Sequence, residues 1–260
     1  MTPRSRWRAV ADVDLGLTGT WLVTGGTSGL GLAAARSLVA EGGDVLLVGR
    51  DTDRGQRVAT DLGAGATWIA GDLADPLLVD RIAEAHPLTG LRGALISVGG
   101  PPAGTATQVS DDDWRAAFES VFLGPVRLSR DLVEACPDLE VLAWVLSTSA
   151  LSPIAGLSIS NGLRPGLAML VKDLADELGP RGVRVLGLLP GRFDTPRVRH
   201  LESLSDDPAA ARAAAAGGIP LRRLGEPVEF GQVAAFMLSP RASYVTGSVV
   251  VVDGGSTRAL

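Results

Sequence analysis

The chain has 260 residues, 46% of them hydrophobic and 20% charged, which is enough apolar material for a sizeable core and excludes a disordered chain. A net charge of −5 argues against nucleic acid or an anionic membrane surface as the main partner, and a single cysteine, Cys136, excludes an intrachain disulfide framework. Met1 to Ala11 is basic without the apolar stretch of a signal peptide, and no apolar run approaches the ~20 residues of a membrane span, so a cytoplasmic globular protein is expected.

Residues 1–15 read as an N-terminal extension. Beyond them, short apolar runs alternate with longer helical patterns. Thr20 to Thr24 (TWLVT) reads as a buried strand. A helix over Leu32 to Glu41 follows, with Gly42-Gly43 as its stop. Asp44 to Val48 is the second strand, 52–62 a polar helix, and Thr67 to Ala70 the third strand. The alternation continues as helix 76–85, strand 93–98, helix 111–135, strand 140–147, helix 161–178 and strand 182–189. Helix 227–238 and strand 248–252 close the chain. Nearly continuous apolar strands separated by helices specify a parallel sheet covered on both faces. The expected fold class is therefore α/β: one doubly wound domain over 16–260 with a mostly parallel sheet. One segment is too long for an ordinary connection. The polar, alanine-rich stretch 195–222 is expected to be a lid over a site.

Thr24-Gly25-Gly26-Thr27-Ser28-Gly29-Leu30-Gly31 directly joins the first strand to the first helix. Glycines there allow a tight turn and let backbone N–H groups approach a pyrophosphate at a helix N-terminus. At the end of the second strand stand Gly49-Arg50, with no carboxylate until Asp51. An acidic residue there would bond the ribose 2′-OH of NAD, whereas an arginine accommodates the 2′-phosphate of NADP, so NADP(H) is the expected cofactor.

The spacing T-G-x-x-x-G-x-G resembles the short-chain dehydrogenase/reductase (SDR) superfamily, and the resemblance extends over about residues 16–255. Asp72-Leu73 stands where the family places an aspartate near the adenine. Ser97-Val98-Gly99-Gly100 replaces its N-A-G. Pro190-Gly191 with Thr195 matches its P-G-x-x-x-T, which lies against the nicotinamide. Arg223 to Pro227 and Tyr244 to Gly255 are similar to the C-terminal part of 3-oxoacyl-[acyl-carrier-protein] reductase-like members. The resemblance implies a Rossmann-like fold and a nucleotide site built from Gly25, Thr27, Ser28, Gly29, Leu30, Gly31, Arg50, Asp72, Leu73, Gly99, Pro190, Gly191 and Thr195. It also implies a small-molecule substrate and a homodimer or homotetramer built on the last helix and strand.

The family's chemistry rests on a tyrosine and a lysine four residues later, a strand-end serine, and an asparagine in the fourth helix. Alignment through Pro153 to Gly156 and Leu174 to Leu178 puts Leu157 at the tyrosine position and Asn161 at the lysine position, with Val121 at the asparagine position. The chain's only tyrosine is Tyr244 and its only lysine Lys172, so no such pair exists. This is a divergent member by that reading. Ser149 is the expected carbonyl-orienting hydroxyl, with Ser147 beside it. Arg164 is a candidate oxyanion or cofactor residue, although Pro165 either kinks the helix or marks its start. Ser160 and Asn161 add hydrogen bonds to the site or cap that helix. His200 and His86 are surface residues, and Asp111-Asp112-Asp113 is a helix N-terminus rather than a metal site.

Three functions fit these residues. The first is an NADPH-dependent reductase of a carbonyl, such as a quinone or conjugated ketone, with an altered proton source. The second is a non-redox enzyme on the same fold: an isomerase, dehydratase or cyclase. The third is a catalytically dead NADP-binding module.

Overall fold

The computed structural model describes residues 14–203 and 205–259. All of the extension 1–15 except Asp14 and Leu15 lies outside the described residues. Seven parallel strands form one sheet in the order β3-β2-β1-β4-β5-β6-β7. They are β1 (Thr20–Thr24), β2 (Asp44–Gly49), β3 (Ala66–Ala70), β4 (Leu91–Ile96), β5 (Val141–Val145), β6 (Arg184–Pro190) and β7 (Ser248–Val252). All five residues of β5 are buried, as a strand covered on both faces requires.

Each face has its own core. On one face α3 (Leu78–Ala85), α5 (Gly124–Ala135) and α6 (Ser158–Leu178) contribute Ile82, Leu128, Leu132, Leu167 and Val171 against Leu22, Leu46, Leu142 and Trp144. On the other, α1 (Gly29–Ala40) and α9 (Pro227–Leu238) pack Ala34, Leu38, Phe230 and Ala234 against Trp21, Leu47, Leu95 and Leu186. Gly231 makes this contact possible, because a Cβ there would stand 2.4 Å from the Ala33 carbonyl oxygen. Burying each large aliphatic side chain in these layers contributes about 1.5–3 kcal/mol.

The chain runs from β1 to β2 on one side and from β4 to β5 on the other, so a crevice opens where the connections part at the C-terminal ends of β1 and β4. The buried Thr24 hydroxyl ties those two ends together. It donates to the Ser97 carbonyl at 2.7 Å and accepts from the Ser97 amide at 2.8 Å.

Several boundaries differ from the sequence expectations. α1 begins at Gly29, not at Leu32, because Ser28 enters the helix without a side-chain cap. β4 starts and ends two residues earlier than expected, and β5 is shorter at both ends. The single helix expected over 111–135 is α4 (Asp111–Ala117), a π-helical turn (Phe118–Leu123) and α5. Gly162 and Gly166 on α6 receive Trp114 and Phe122 from this irregular run, since a Cβ at either would meet the ring at 2.8 or 2.9 Å. α6 starts at Ser158 instead of 161 and runs through Pro165, which is exposed and inside the helix. α7 (Pro196–Glu202) and α8 (Pro208–Gly218) fill most of 195–222.

Candidate active site

The C-terminal ends of the strands, α7 and α8 enclose an open cleft of about 1450 Å³. Of the residues expected to bind nucleotide, Gly25, Thr27, Ser28, Gly29, Leu30, Gly31, Arg50, Asp72, Leu73, Gly99, Pro190, Gly191 and Thr195 all line it. The glycine loop is held by close backbone packing. Gly25 has φ +60°, and a Cβ there would meet the Ser97 carbonyl oxygen at 2.8 Å. A Cβ on Gly31 would meet the Gly25 carbonyl oxygen at 2.4 Å. No side chain caps the N-terminus of α1, and its first turn carries no acidic residue, so its leading N–H groups face the cleft without an internal acceptor. Across the opening, Thr195 packs close to the loop: a Cβ on Gly29 would lie 3.6 Å from its methyl group. Thr195 also caps α7, accepting from the Val198 amide.

At the far end of the loop, Arg50 is exposed and stands 3.8 Å from Asp72. Asp72 also accepts from the Ala74 amide. Asp51 also lines the cleft, and its carboxylate caps α2 (Thr52–Leu62) at the Arg54 amide, 3.0 Å, and pairs with the Arg54 side chain. Gly124 brings the start of α5 against Leu73, whose carbonyl oxygen would be 2.5 Å from a Cβ there.

The other end of the cleft is built from side chains. Ser147 lines the cleft and ends β5 as the cap of a short 3-10 turn, accepting from the Ser149 amide at 3.1 Å. Ser149 is buried behind it and bonds the Ser160 hydroxyl at 2.9 Å. Ser160 and Arg164 stand one turn apart on α6, and both line the cleft. Arg164 is only 4% exposed; its Nη1 donates to the Val145 carbonyl at 2.9 Å, and its Nε has no acceptor among the described residues. Burial, and secondarily the Arg197 charge, pulls its pKa down to about 10, so it remains a cation at neutral pH.

Asn161 does not join this group. Its amide is spent on the backbone of Ile154, accepting from the N–H and donating to the carbonyl, both at 2.9 Å, and so pins the loop before α6. Leu157 is the residue before the helix. Leu157 also lines the cleft, whereas Asn161 does not. Continuing the buried stripe of α6 backward from Leu178, Ala175, Val171 and Leu167 lands on Arg164 and Ser160, not on Asn161 and Leu157. Two polar residues on an otherwise apolar stripe were the signal in the sequence. Val121 lies in the π-helical turn, 2% exposed, packed with Ala117, Ile159 and Leu163 at the edge of the cleft. Tyr244 is fully exposed, Lys172 lies on the outer face of α6, and neither lines the cleft. His86 is half-buried and His200 exposed, and neither lines the cleft. The described residues contain no cluster of three potential metal ligands and no helix long and apolar enough to cross a membrane.

A family model described as enoyl-(acyl carrier protein) reductase matches residues 25–257. The chain is 30% identical over 252 residues to oxidoreductase UcpA of Escherichia coli O157:H7, covering 93% of this chain and 95% of that one. L-sorbose reductase from Gluconobacter frateurii, solved with NADPH and L-sorbose, is 28% identical with a TM-score of 0.89, covering 95% of this chain and all of that one. A short chain oxidoreductase of Pseudomonas aeruginosa PAO1, described as NADPH-bound and containing an atypical catalytic center, is 29% identical with a TM-score of 0.85. These two chains overlap by 93% and 98% of their lengths, respectively. The chain belongs to this reductase family, within the short-chain dehydrogenase/reductase superfamily of oxidoreductases.

Proposed function

We propose that this superfamily member is an NADPH-dependent carbonyl reductase in which Ser160 and Arg164 occupy the places of the family's usual tyrosine and lysine. The observation that carries the reading is that pair: one turn apart on α6, both buried, both at the cleft wall, with no tyrosine or lysine in the cleft. The nucleotide fits the opposite end. The uncapped α1 N-terminus and the Gly25–Gly31 cradle suit a pyrophosphate, and Asp72, Leu73, Gly99, Pro190, Gly191 and Thr195 complete the walls. Arg50 favours a 2′-phosphate, and the nearest carboxylate on that strand end, Asp51, is occupied in capping α2.

When bound, the nicotinamide supplies the hydride. The chain's own groups handle the oxygen. Ser147 and Ser160 offer hydroxyl donors to the carbonyl, and Ser149 fixes the Ser160 rotamer through their 2.9 Å bond. Arg164 holds a permanent positive charge in a water-poor wall, where it stabilises a developing alkoxide more than it would in bulk water. A guanidinium with a pKa of about 10 does not donate efficiently at pH 7, so the proton comes from solvent through the open cleft. The reading also takes the protein to be cytoplasmic and homo-oligomeric; Phe236 on α9, Tyr244 just before β7 and Val251 on the edge strand β7 are exposed, and a second copy would cover them.

Fluorescence titration with NADPH and NADH comes first, with tighter NADPH binding expected. Deuterium transfer from labelled NADPH to a ketone then tests the chemistry. Substrate turnover without any change in nicotinamide absorbance would replace this reading with an isomerase, dehydratase or cyclase. Light scattering on purified protein tests the dimer or tetramer.

A further inference from the structure

The two helices over the cleft carry three arginines, and they are treated differently. Arg199 is paired with Asp194 at 2.8 Å. Arg212 is paired with Asp194 at 2.9 Å and with Glu202 at 3.1 Å. Arg197 has no carboxylate partner among the described residues. Its guanidinium reaches from the rim to the Gly100 and Pro101 carbonyl oxygens, at 3.1 and 2.7 Å, and so hangs over the cleft. On the facing wall Arg164 is in the same condition, with one backbone carbonyl, an orphaned Nε and no ion pair among the described residues. Both arginines line the same cleft, and the Arg197 charge adds to burial in lowering the Arg164 pKa.

A buried guanidinium without a counter-ion is unfavourable, and a second cation beside it makes matters worse. The fold places carboxylates against the neighbouring arginines of α7 and α8 and withholds them here. The missing negative charge is therefore expected to arrive with a ligand. The nucleotide phosphates are accounted for at the glycine loop, whereas Arg164 lies beside Val145, Ser147 and Ser160 at the reacting end. A planar guanidinium fork matches a carboxylate in shape as well as charge. We infer that Arg164 and Arg197 form an anion site, and that the carbonyl compound reduced here carries a carboxylate held between them. The carbonyl half of this statement rests on the reductase reading; the anion half does not.

The test compares matched acids and esters: pyruvate, acetoacetate and 4-acetylbenzoate against their methyl esters. Affinities are measured by calorimetry on the protein alone and with NADP⁺, while the NADPH fluorescence titration reports separately on the nucleotide site. At least one acid is expected to bind tenfold or more tightly than its ester. Arg197→Gln should collapse that ratio, and Arg199→Gln, which removes an already neutralised arginine from the same helix, should keep it. Thermal melts confirm that both variants are folded. Equal affinities, no binding by any acid, or a preference that survives Arg197→Gln or disappears equally in Arg199→Gln would overturn the anion site. Absence of NADPH binding with the acid preference intact would instead remove the reductase reading and leave the anion site standing.

Discussion

At the β1–α1 end of the cleft the ligand-facing surface is mostly backbone: a tight glycine turn, the open N–H groups of α1, and the Thr24–Ser97 clasp beneath them. At the β5–α6 end it is side chains: Ser147, Ser160, Arg164 and, from α7, Arg197. The two ends tolerate change differently. A backbone cradle has almost one solution, because a methyl group on Gly31 would sit 2.4 Å from a carbonyl oxygen. On the proposed reading, the side-chain end has exchanged a phenol and an ammonium for a hydroxyl and a guanidinium on the same helix. The fold can thus keep its nucleotide end while its reacting end is rewritten.

The most severe way to break the first end is Gly31→Asp, which adds both bulk and negative charge where a pyrophosphate would lie. NADPH affinity should fall by about 100-fold or more in a fluorescence titration, with overpacking lowering stability by about 1–3 kcal/mol in urea unfolding. At the second end, Arg164→Met removes the buried charge while keeping an apolar stem. We expect kcat for ketone reduction to fall roughly 10²–10³-fold, as for loss of an electrostatic stabiliser. Tm should stay level or rise, because replacing an unpaired buried cation with a packed apolar side chain relieves desolvation. That opposition of activity and stability would not be expected of an arginine with a merely structural role.

A third test decides between the two placements of the catalytic pair on α6. Ser160→Tyr combined with Arg164→Lys should raise ketone reduction by about tenfold or more, within the range of one positioned general acid, whereas Leu157→Tyr with Asn161→Lys should not. The latter pair also breaks the Asn161–Ile154 bonds. At the adenosine end, Arg50→Glu should weaken NADPH by roughly tenfold and leave NADH nearly unchanged, since Arg50 is exposed and its charge is screened.

The smallest effect concerns α7 and α8. Hydrogen bonds from Arg199, then Arg212, hold the Asp194 carboxyl at about 2, below its ordinary value of 3.8. The stabilisation it gives is complete above pH about 4 and is lost as pH falls through about 2. Pepsin cleavage within 196–218 should therefore increase at pH 2 relative to pH 4, normalised to an unfolded control.

The same contrast between the two ends explains what the sequence alone disclosed. Strand positions, the parallel sheet and the glycine loop were legible because they follow from apolar runs and from places where only glycine fits. Helix starts were less so: α1 begins at Gly29 behind an uncapped Ser28, and α6 at Ser158 behind Leu157, so neither carries a capping signature. The Ser160–Arg164 pair was hidden for a related reason. A reading that follows apolar periodicity discounts polar residues, and these two sit on the buried stripe itself. The ion pairing of 194–212, which leaves Arg197 without a counter-ion, depends on packing between α7 and α8 that spacing does not fix.

The π-helical turn at Phe118–Leu123 has a further consequence. Its wider winding stores about one more residue than an α turn would, then hands the chain to α5 with Leu128 and Leu132 still facing the sheet. The helix therefore carries a spare place in its count. Because Val121 occupies that turn at the cleft wall, the wall can be shortened by one residue, the turn reverting to α, while the core beyond it stays in phase.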